Sequence, residues 1–167
     1  MTPAELLIES LERVREGGVA AVDGLSADQL AERPTPDANP IAWLVWHLAR
    51  VQDDHVAEVA GIEQVWTAQG YAERFGLPFE TGDIGYGHRS EQVGQVRAEA
   101  DLLAAYLTAV HEQTVGYLRG LSAGDLDRVV DERWDPPVRL GVRLVSVVND
   151  DTQHVGQAAY VRGLIGA

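Results

Sequence analysis

The stretch VVNDDTQHVGQAAYVRGLI, residues 147–165, raises the question on which the fold turns. At 100° per residue, Val147, Asp150, His154, Ala158, Val161 and Ile165 fall within about 40° of one mean direction. That stripe belongs to a helix packed on a core, yet it carries an acid and a histidine. Asp151 sits on the other flank of the stripe, three residues before His154. Asp150 and His154, at i and i+4, can bring their side chains to one spot. An ionised carboxylate in an apolar place is costly unless something pairs with it. Three readings follow for the pair: a buried structural hydrogen bond, an acid–base pair, or two ligands of one metal ion awaiting a third.

Working outward, the same periodicity recurs three more times. A first helix is expected over 3–23, with Thr2 as cap and Pro3 just inside it. A short turn at 26–31 and a Pro-rich connection follow. Asn39-Pro40 then reads as N-cap and first position of a second helix ending near Ala60. Residues 61–90 are irregular, with a short helix or two and a Gly-rich loop at 82–87. Ser90 opens a third helix expected to run unbroken to Arg119. After a connector ending at Pro136-Pro137, the last helix spans 142–164. Only RVVDERW, 128–134, alternates like a strand, and weakly. Four long helices with one or two long connections make an all-α four-helix bundle, with the long irregular connection between the second and third. The whole chain, 1–167, reads as one domain.

The bulk composition narrows the function. The 167 residues are 46% hydrophobic and carry a formal net charge of -13. A surface this acidic lacks the positive footprint that nucleic acid or anionic lipid requires. With no cysteine, disulfides, thiolate ligands and Cys nucleophiles are excluded. No apolar run approaches the roughly 20 residues that span a bilayer. The N-terminus also lacks the basic start and apolar centre of a signal peptide. The expected location is the cytoplasm.

The second helix, NPIAWLVWHLARVQDDHVAEVA (39–60), bears on the Asp150–His154 question. It buries Ile41, Leu44, Leu48, Val51 and Val59. His47 lies at the edge of this stripe, with Trp43 and Asp54 on the same side, and His55 lies nearer its centre. A lone histidine on such a face is more often a satisfied core residue than a ligand. Two helices each carrying one are a better metal candidate. His47 and His55 are roughly 12 Å apart along the axis, too far to share an ion. The wheel does not choose between them.

WLVWHLARVQDDHVA and DDTQHVGQAAYVRG together resemble the DinB-like superfamily, as does the helix order. The run from His154 to Gly163 carries the most specific part of the likeness. The resemblance implies an up-down-down-up bundle, commonly dimeric, with a divalent metal in a cleft. One ligand comes from the second helix and an i, i+4 pair from the fourth. Carried over, the ligands are His47, Asp150 and His154. The family often has His where this chain has Asp150. An acid there resembles the branch of mycothiol-dependent maleylpyruvate isomerase and thiol S-transferases. A His-His-carboxylate set suits zinc first, with nickel, iron and manganese also compatible. Three protein ligands leave one position open, as catalytic sites need.

What the resemblance implies is small-molecule chemistry, S-transfer or isomerisation, with a low-molecular-weight thiol of the mycothiol kind as nucleophile. The competing expectation is a metal-binding, homodimeric bundle that binds a ligand or partner without catalysis. Asp54 and Asp151 are the residues that could close the metal site and favour it. A metal-free bundle with paired Asp and His ranks third. Around the site, Gln157 either orients a ligand or faces solvent, and Trp43, Trp46 and Tyr160 either line a cleft or pack the core. His88 either closes over the cleft or is solvated, and His111 is expected at the surface.

Overall fold

In the computed structural model, which describes residues 1–167, four long helices carry the structure. They are α1 (Pro3–Val22), α3 (Ile41–Ala60), α7 (Ala100–Arg119) and α8 (Leu140–Leu164). Short helices fill the connections: α2 (Ala27–Leu30), α4 (Val65–Ala68), α5 (Tyr71–Phe75) and α6 (Ser90–Gln95). The chain is thus mostly helical, as its periodicity requires. No helix is long and apolar enough to cross a membrane.

Local chemistry sets the helix ends. Thr2 caps α1 in a reciprocal box: its hydroxyl accepts from the Glu5 N–H at 3.2 Å, and its own N–H donates to the Glu5 carboxylate at 2.7 Å. The start of α3 differs from expectation. Pro40, not Asn39, is the cap, in an extended conformation, and no side chain caps this end. The helix stops at Gly61, whose φ of 67° is the left-handed conformation glycine tolerates.

The expected third helix is in fact two. α6 ends at Val96, whose backbone turns extended, and α7 begins only at Ala100. The break lodges Val96 and Ala98 in the main core. RVVDERW supplies a three-residue strand, β1 (Val129–Asp131), paired antiparallel with β2 (Val138–Arg139). α8 starts two residues early because Leu140 is fully buried.

α3 packs on both α7 and α8, and α1 packs on the same two helices. Sixteen of the twenty residues of α3 are buried, so it is the central helix and whatever it carries is held rigidly. Leu44, Leu48, Leu103 and Leu107 are among the side chains sealed in the core. Burial of each contributes about 1.5–3 kcal/mol.

The irregular connection after α3 is pinned by charge. Asp53 on α3 accepts the N–H groups of Val65 at 2.9 Å and Trp66 at 2.8 Å, which are orphan donors at the start of α4. It also accepts the Tyr106 hydroxyl at 2.9 Å. Arg50 lies 3.6 Å from the same carboxylate and donates to Gln64 and Tyr106. Removal from water pushes the Asp53 carboxyl up, and the backbone and Tyr106 hydrogen bonds oppose it.

Candidate metal centre

His47 comes from the middle of α3 and is 5% exposed. Asp150 and His154 come from adjacent turns of α8, which packs against it. Donor atoms of the three residues lie within 4.8 Å of one another. The rings of His47 and His154 meet edge to face, with centroids 4.8 Å apart. Donors about 2.1 Å from a tetrahedral ion stand about 3.4 Å apart, so the widest pair needs to close by roughly 1.4 Å.

The proton positions argue for a ligand set rather than a structural pair. Nδ1 of His47 lies 2.5 Å from the carbonyl of Ile84. A carbonyl only accepts, so Nδ1 carries the proton and Nε2 is left with a free lone pair. Nδ1 of His154 lies 3.0 Å from Oε1 of Gln157, which accepts its proton in this orientation of the amide. A structural His–Asp pair would instead place a proton between His154 Nε2 and Asp150. That separation is 3.7 Å, too long for a hydrogen bond. The second oxygen of Asp150 is buried and has no partner. With both Nδ1 atoms so engaged, two imidazole lone pairs and a carboxylate gather at one corner. Such a set is mutually repulsive unless a cation stands between, and the residues present fit a divalent ion.

Burial holds the pKa of His47 below the usual histidine value. The Ile84 hydrogen bond opposes this, and the nearby His154 adds to it. Trp43 stacks on the His47 ring at 4.4 Å and meets His154 edge-on at 6.0 Å, so one indole fixes both ring planes. Gly85 follows Ile84 with a φ of 88°, and a Cβ there would stand 2.8 Å from His47 Nδ1. Only glycine lets the loop lie this close to the ring.

A cleft of about 400 Å³ opens from the His47 and Asp150 side. Val51, Val142 and Val147 give it apolar walls, and Tyr86 and Trp134 stand at it largely exposed. Arg143 lines it too, but its guanidinium is engaged by Glu58 at 2.7 Å and Asp131 at 3.4 Å. No fourth His, Asp or Glu joins the three donors. Asp54 accepts from Gln64 at 2.8 Å, away from the cluster. Asp151 is fully buried and neither oxygen has a partner. Neither one closes the corner.

The remaining candidates take several different places. His55 is eight residues along α3, beside Arg143 and Asp54, and shares only the cleft with His47. His111 is not at the surface: it is 6% exposed, and its Nε2 lies 2.7 Å from the Glu12 carboxylate. The partner lies on α1, 99 residues away in the chain, so spacing within α7 does not announce it. Tyr160 is 69% exposed and lies off the metal cleft, in a groove beside Gln157. Trp46 is core. His88 is neither a lid nor solvated; it lies under the cleft floor against Trp43. Ile84 and Gly85 are the functional positions that sequence reasoning missed. The Gly-rich run at 82–87 was the available signal.

No curated protein matches the chain. A solved structure described as the conserved protein of locus from Enterococcus faecalis is 34% identical in sequence. It covers 99% of this chain and 98% of its own, with a TM-score of 0.91. A model of the mycothiol-S-transferase family matches residues 6–167. The chain therefore belongs to the mycothiol-S-transferase family, within the DinB-like fold.

Proposed function

We propose that the protein is a metal-dependent enzyme that transfers or isomerises small molecules with a low-molecular-weight thiol such as mycothiol as nucleophile. The ion is held by His47, Asp150 and His154, with zinc the first choice. The carrying observation is the proton arrangement. Both Nδ1 atoms are occupied by acceptors, so two free lone pairs and an unpartnered carboxylate oxygen share one corner beside an open cleft. We further propose a single up-down-down-up domain that works as a cytoplasmic homodimer. Support for the topology comes from residue levels. His47 and His55 on α3 face His154 and Arg143 on α8 in reverse order. Gly17 and Ala20 on α1 face Val155 and Arg162 in the same order. Glu12 and Gly18 on α1 face His111 and Leu107 on α7 in reverse order.

A divalent ion in this corner supplies Lewis acidity, which lowers the pKa of a thiol beside it. The rest falls to the chain's own residues. Ile84 and Gln157 hold the two imidazoles in the ligating tautomer. Trp43 covers the His47 ring and keeps water from its face. Val51, Val142 and Trp134 take the apolar part of the acceptor and orient its electrophilic carbon toward the corner. In S-transfer the sulfur forms a bond to that carbon as the leaving group departs with the bonding pair.

The test is elemental analysis, followed by a conjugation assay with mycothiol and an electrophilic acceptor. Wild type and His154→Ala are compared. A thiol-dependent rate lost in His154→Ala is expected. The uncatalysed rate in both proteins, across several thiols and metals, would end the transferase reading. A metal-dependent rate that needs no thiol would indicate hydrolysis instead.

A further inference from the structure

Trp43, His47 and Arg50 occupy positions i, i+4 and i+7 of α3, one continuous face of the helix. Each sends a donor to the same loop. Trp43 Nε1 donates to His88 Nδ1 at 3.1 Å, His47 Nδ1 donates to the Ile84 carbonyl at 2.5 Å, and Arg50 Nε donates to the Asp83 carbonyl at 3.3 Å. The loop is therefore sewn to the helix at 83, 84 and 88, with His47 at the middle stitch.

What keeps the loop in register is the side chain of Asp83. Its Oδ1 accepts the Gly85 N–H at 2.7 Å. Both its oxygens lie about 3 Å from Nε2 of His88, at 3.1 Å and 3.0 Å. An indole N–H only donates, so His88 Nδ1 must accept from Trp43, and the His88 proton sits on Nε2, directed at Asp83. His88 is 3% exposed at its side chain, so this bond is sheltered from competing water. The carboxyl of Asp83 is partly buried, which alone would raise its pKa. The hydrogen bonds from His88 and Gly85 outweigh that and hold it below the usual carboxylate range.

We propose that Asp83 is a positioning residue for the metal centre: by cross-linking residues 83–88 it holds the Ile84 carbonyl against His47 Nδ1 and so presents Nε2 for ligation. The proposal rests on the metal reading given above. Asp83 touches neither the ligands nor the cleft. Its effect passes through Gly85 and His88 to the carbonyl between them. Gly85 must lie against the ring for the carbonyl to reach it, and the short Asp83–Gly85 bond is what draws it there. Partners of this kind around metal-ligating histidines commonly change metal affinity without changing the ligands.

The experiment uses the full chain with zinc as probe. Zinc affinity is measured by competition with a chromophoric chelator, and histidine tautomers are read by nitrogen-15 NMR on the metal-free protein. Wild type should show His47 protonated on Nδ1 and His88 on Nε2. Asp83→Ala should lose about 10–100-fold in zinc affinity, with His47 sampling both tautomers. Asp83→Asn keeps an oxygen where Gly85 and His88 converge, and should stay within about threefold of wild type. Wild-type zinc affinity in Asp83→Ala overturns the proposal. So does equal loss in the Ala and Asn variants, or a loss with the His47 tautomer unchanged. If Asp83→Ala does not fold, the wild-type tautomers and the Asn variant decide: the opposite tautomer at either ring overturns it. The NMR arm needs no ion, so it stands even if wild type fails to bind zinc and the metal reading falls.

Discussion

Asp53 and Asp150 are both helix aspartates near a nitrogen-bearing side chain, and the fold treats them in opposite ways. Asp53 accepts two backbone N–H groups and a tyrosine hydroxyl, with Arg50 3.6 Å away. Every lone pair that matters is used, and the result is a stitch between α3, α4 and α7. Asp150 accepts nothing. One oxygen stands 3.7 Å from a histidine nitrogen, beyond hydrogen-bond reach, and the other is buried and unpartnered. A satisfied buried charge builds structure. An unsatisfied one, facing lone pairs, is a place kept for something else. Asp151, next in the chain, shows a third outcome. It is fully buried with no partner, and burial, aided by the charge of Asp150, holds its carboxyl well above the usual range. Burial thus favours its neutral form, which answers how two adjacent acids can share one helix.

The largest effect should come from breaking the satisfied member. Asp53→Ala leaves Arg50, wholly buried, without its counter-charge, and strips acceptors from Val65, Trp66 and Tyr106. A loss of about 3–5 kcal/mol is expected, read by urea denaturation. A loss under about 1 kcal/mol would mean that the stitch is not structural.

The converse holds for Asp150. Asp150→Ala removes a carboxylate with no hydrogen-bond partner, so stability should change by less than about 1 kcal/mol. Metal affinity should fall about 100-fold or more, because a direct ligand is lost and such losses at least match those of outer partners. Calorimetry with zinc checks the second and denaturation the first. A variant that loses stability but keeps zinc would erase the contrast with Asp53.

How much of this contrast could be read beforehand depends on the residue. The stripe through Val147, Asp150, His154 and Ala158 was visible because helical periodicity is local. The break between α6 and α7 was not, because burial of Val96 and Ala98 is decided by the rest of the core. Spacing brought Asp150 and His154 together, but left His47 and His55 tied. The resemblance pointed to His47, but not to Ile84, a backbone carbonyl 37 residues downstream that holds its ring, since no side-chain pattern announces a carbonyl. Asp53 stood in view within QDDHV and drew no attention, since its partners are backbone N–H groups of a helix that sequence placed only loosely.

The same contrast should appear in pH dependence. Burial holds His47, His55 and His111 below their ordinary pKa. For a base with its folded pKa below the unfolded value of about 6.5, the unfolded state binds more protons as pH falls through that value. The contribution of these three histidines is then full above about pH 6.5 and declines below it, while Asp151, whose folded pKa is raised well above its ordinary value, acts in the opposite sense and loses its contribution as pH rises. Asp53, with its folded pKa raised, acts in the reverse sense, and only once pH reaches the carboxylate range. Denaturation at pH 7.5 and 5.5 tests the first part. His47→Gln should reduce the loss of stability between pH 7.5 and 5.5 relative to wild type, and a difference unchanged in that variant would show that His47 is not among its sources.

The smallest expected effect is at His55, and it sharpens the comparison most. His55 shares α3 and the cleft with His47, and burial lowers the pKa of both. Arg143 lies 3.4 Å from its Nδ1 and Asp54 lies 3.8 Å from the same atom. Its ring thus belongs to a cluster of fixed charges, and it is absent from the three-donor corner. His55→Ala should leave zinc affinity within about twofold, while His47→Ala should lose it as Asp150→Ala does. The two variants remove the same group from the same helix, so a general effect on α3 would appear in both. Equal loss of zinc from each, with helical content intact, would move the ligand from one end of the cleft to the other. The Ile84 and Trp43 contacts to His47 would then be packing only.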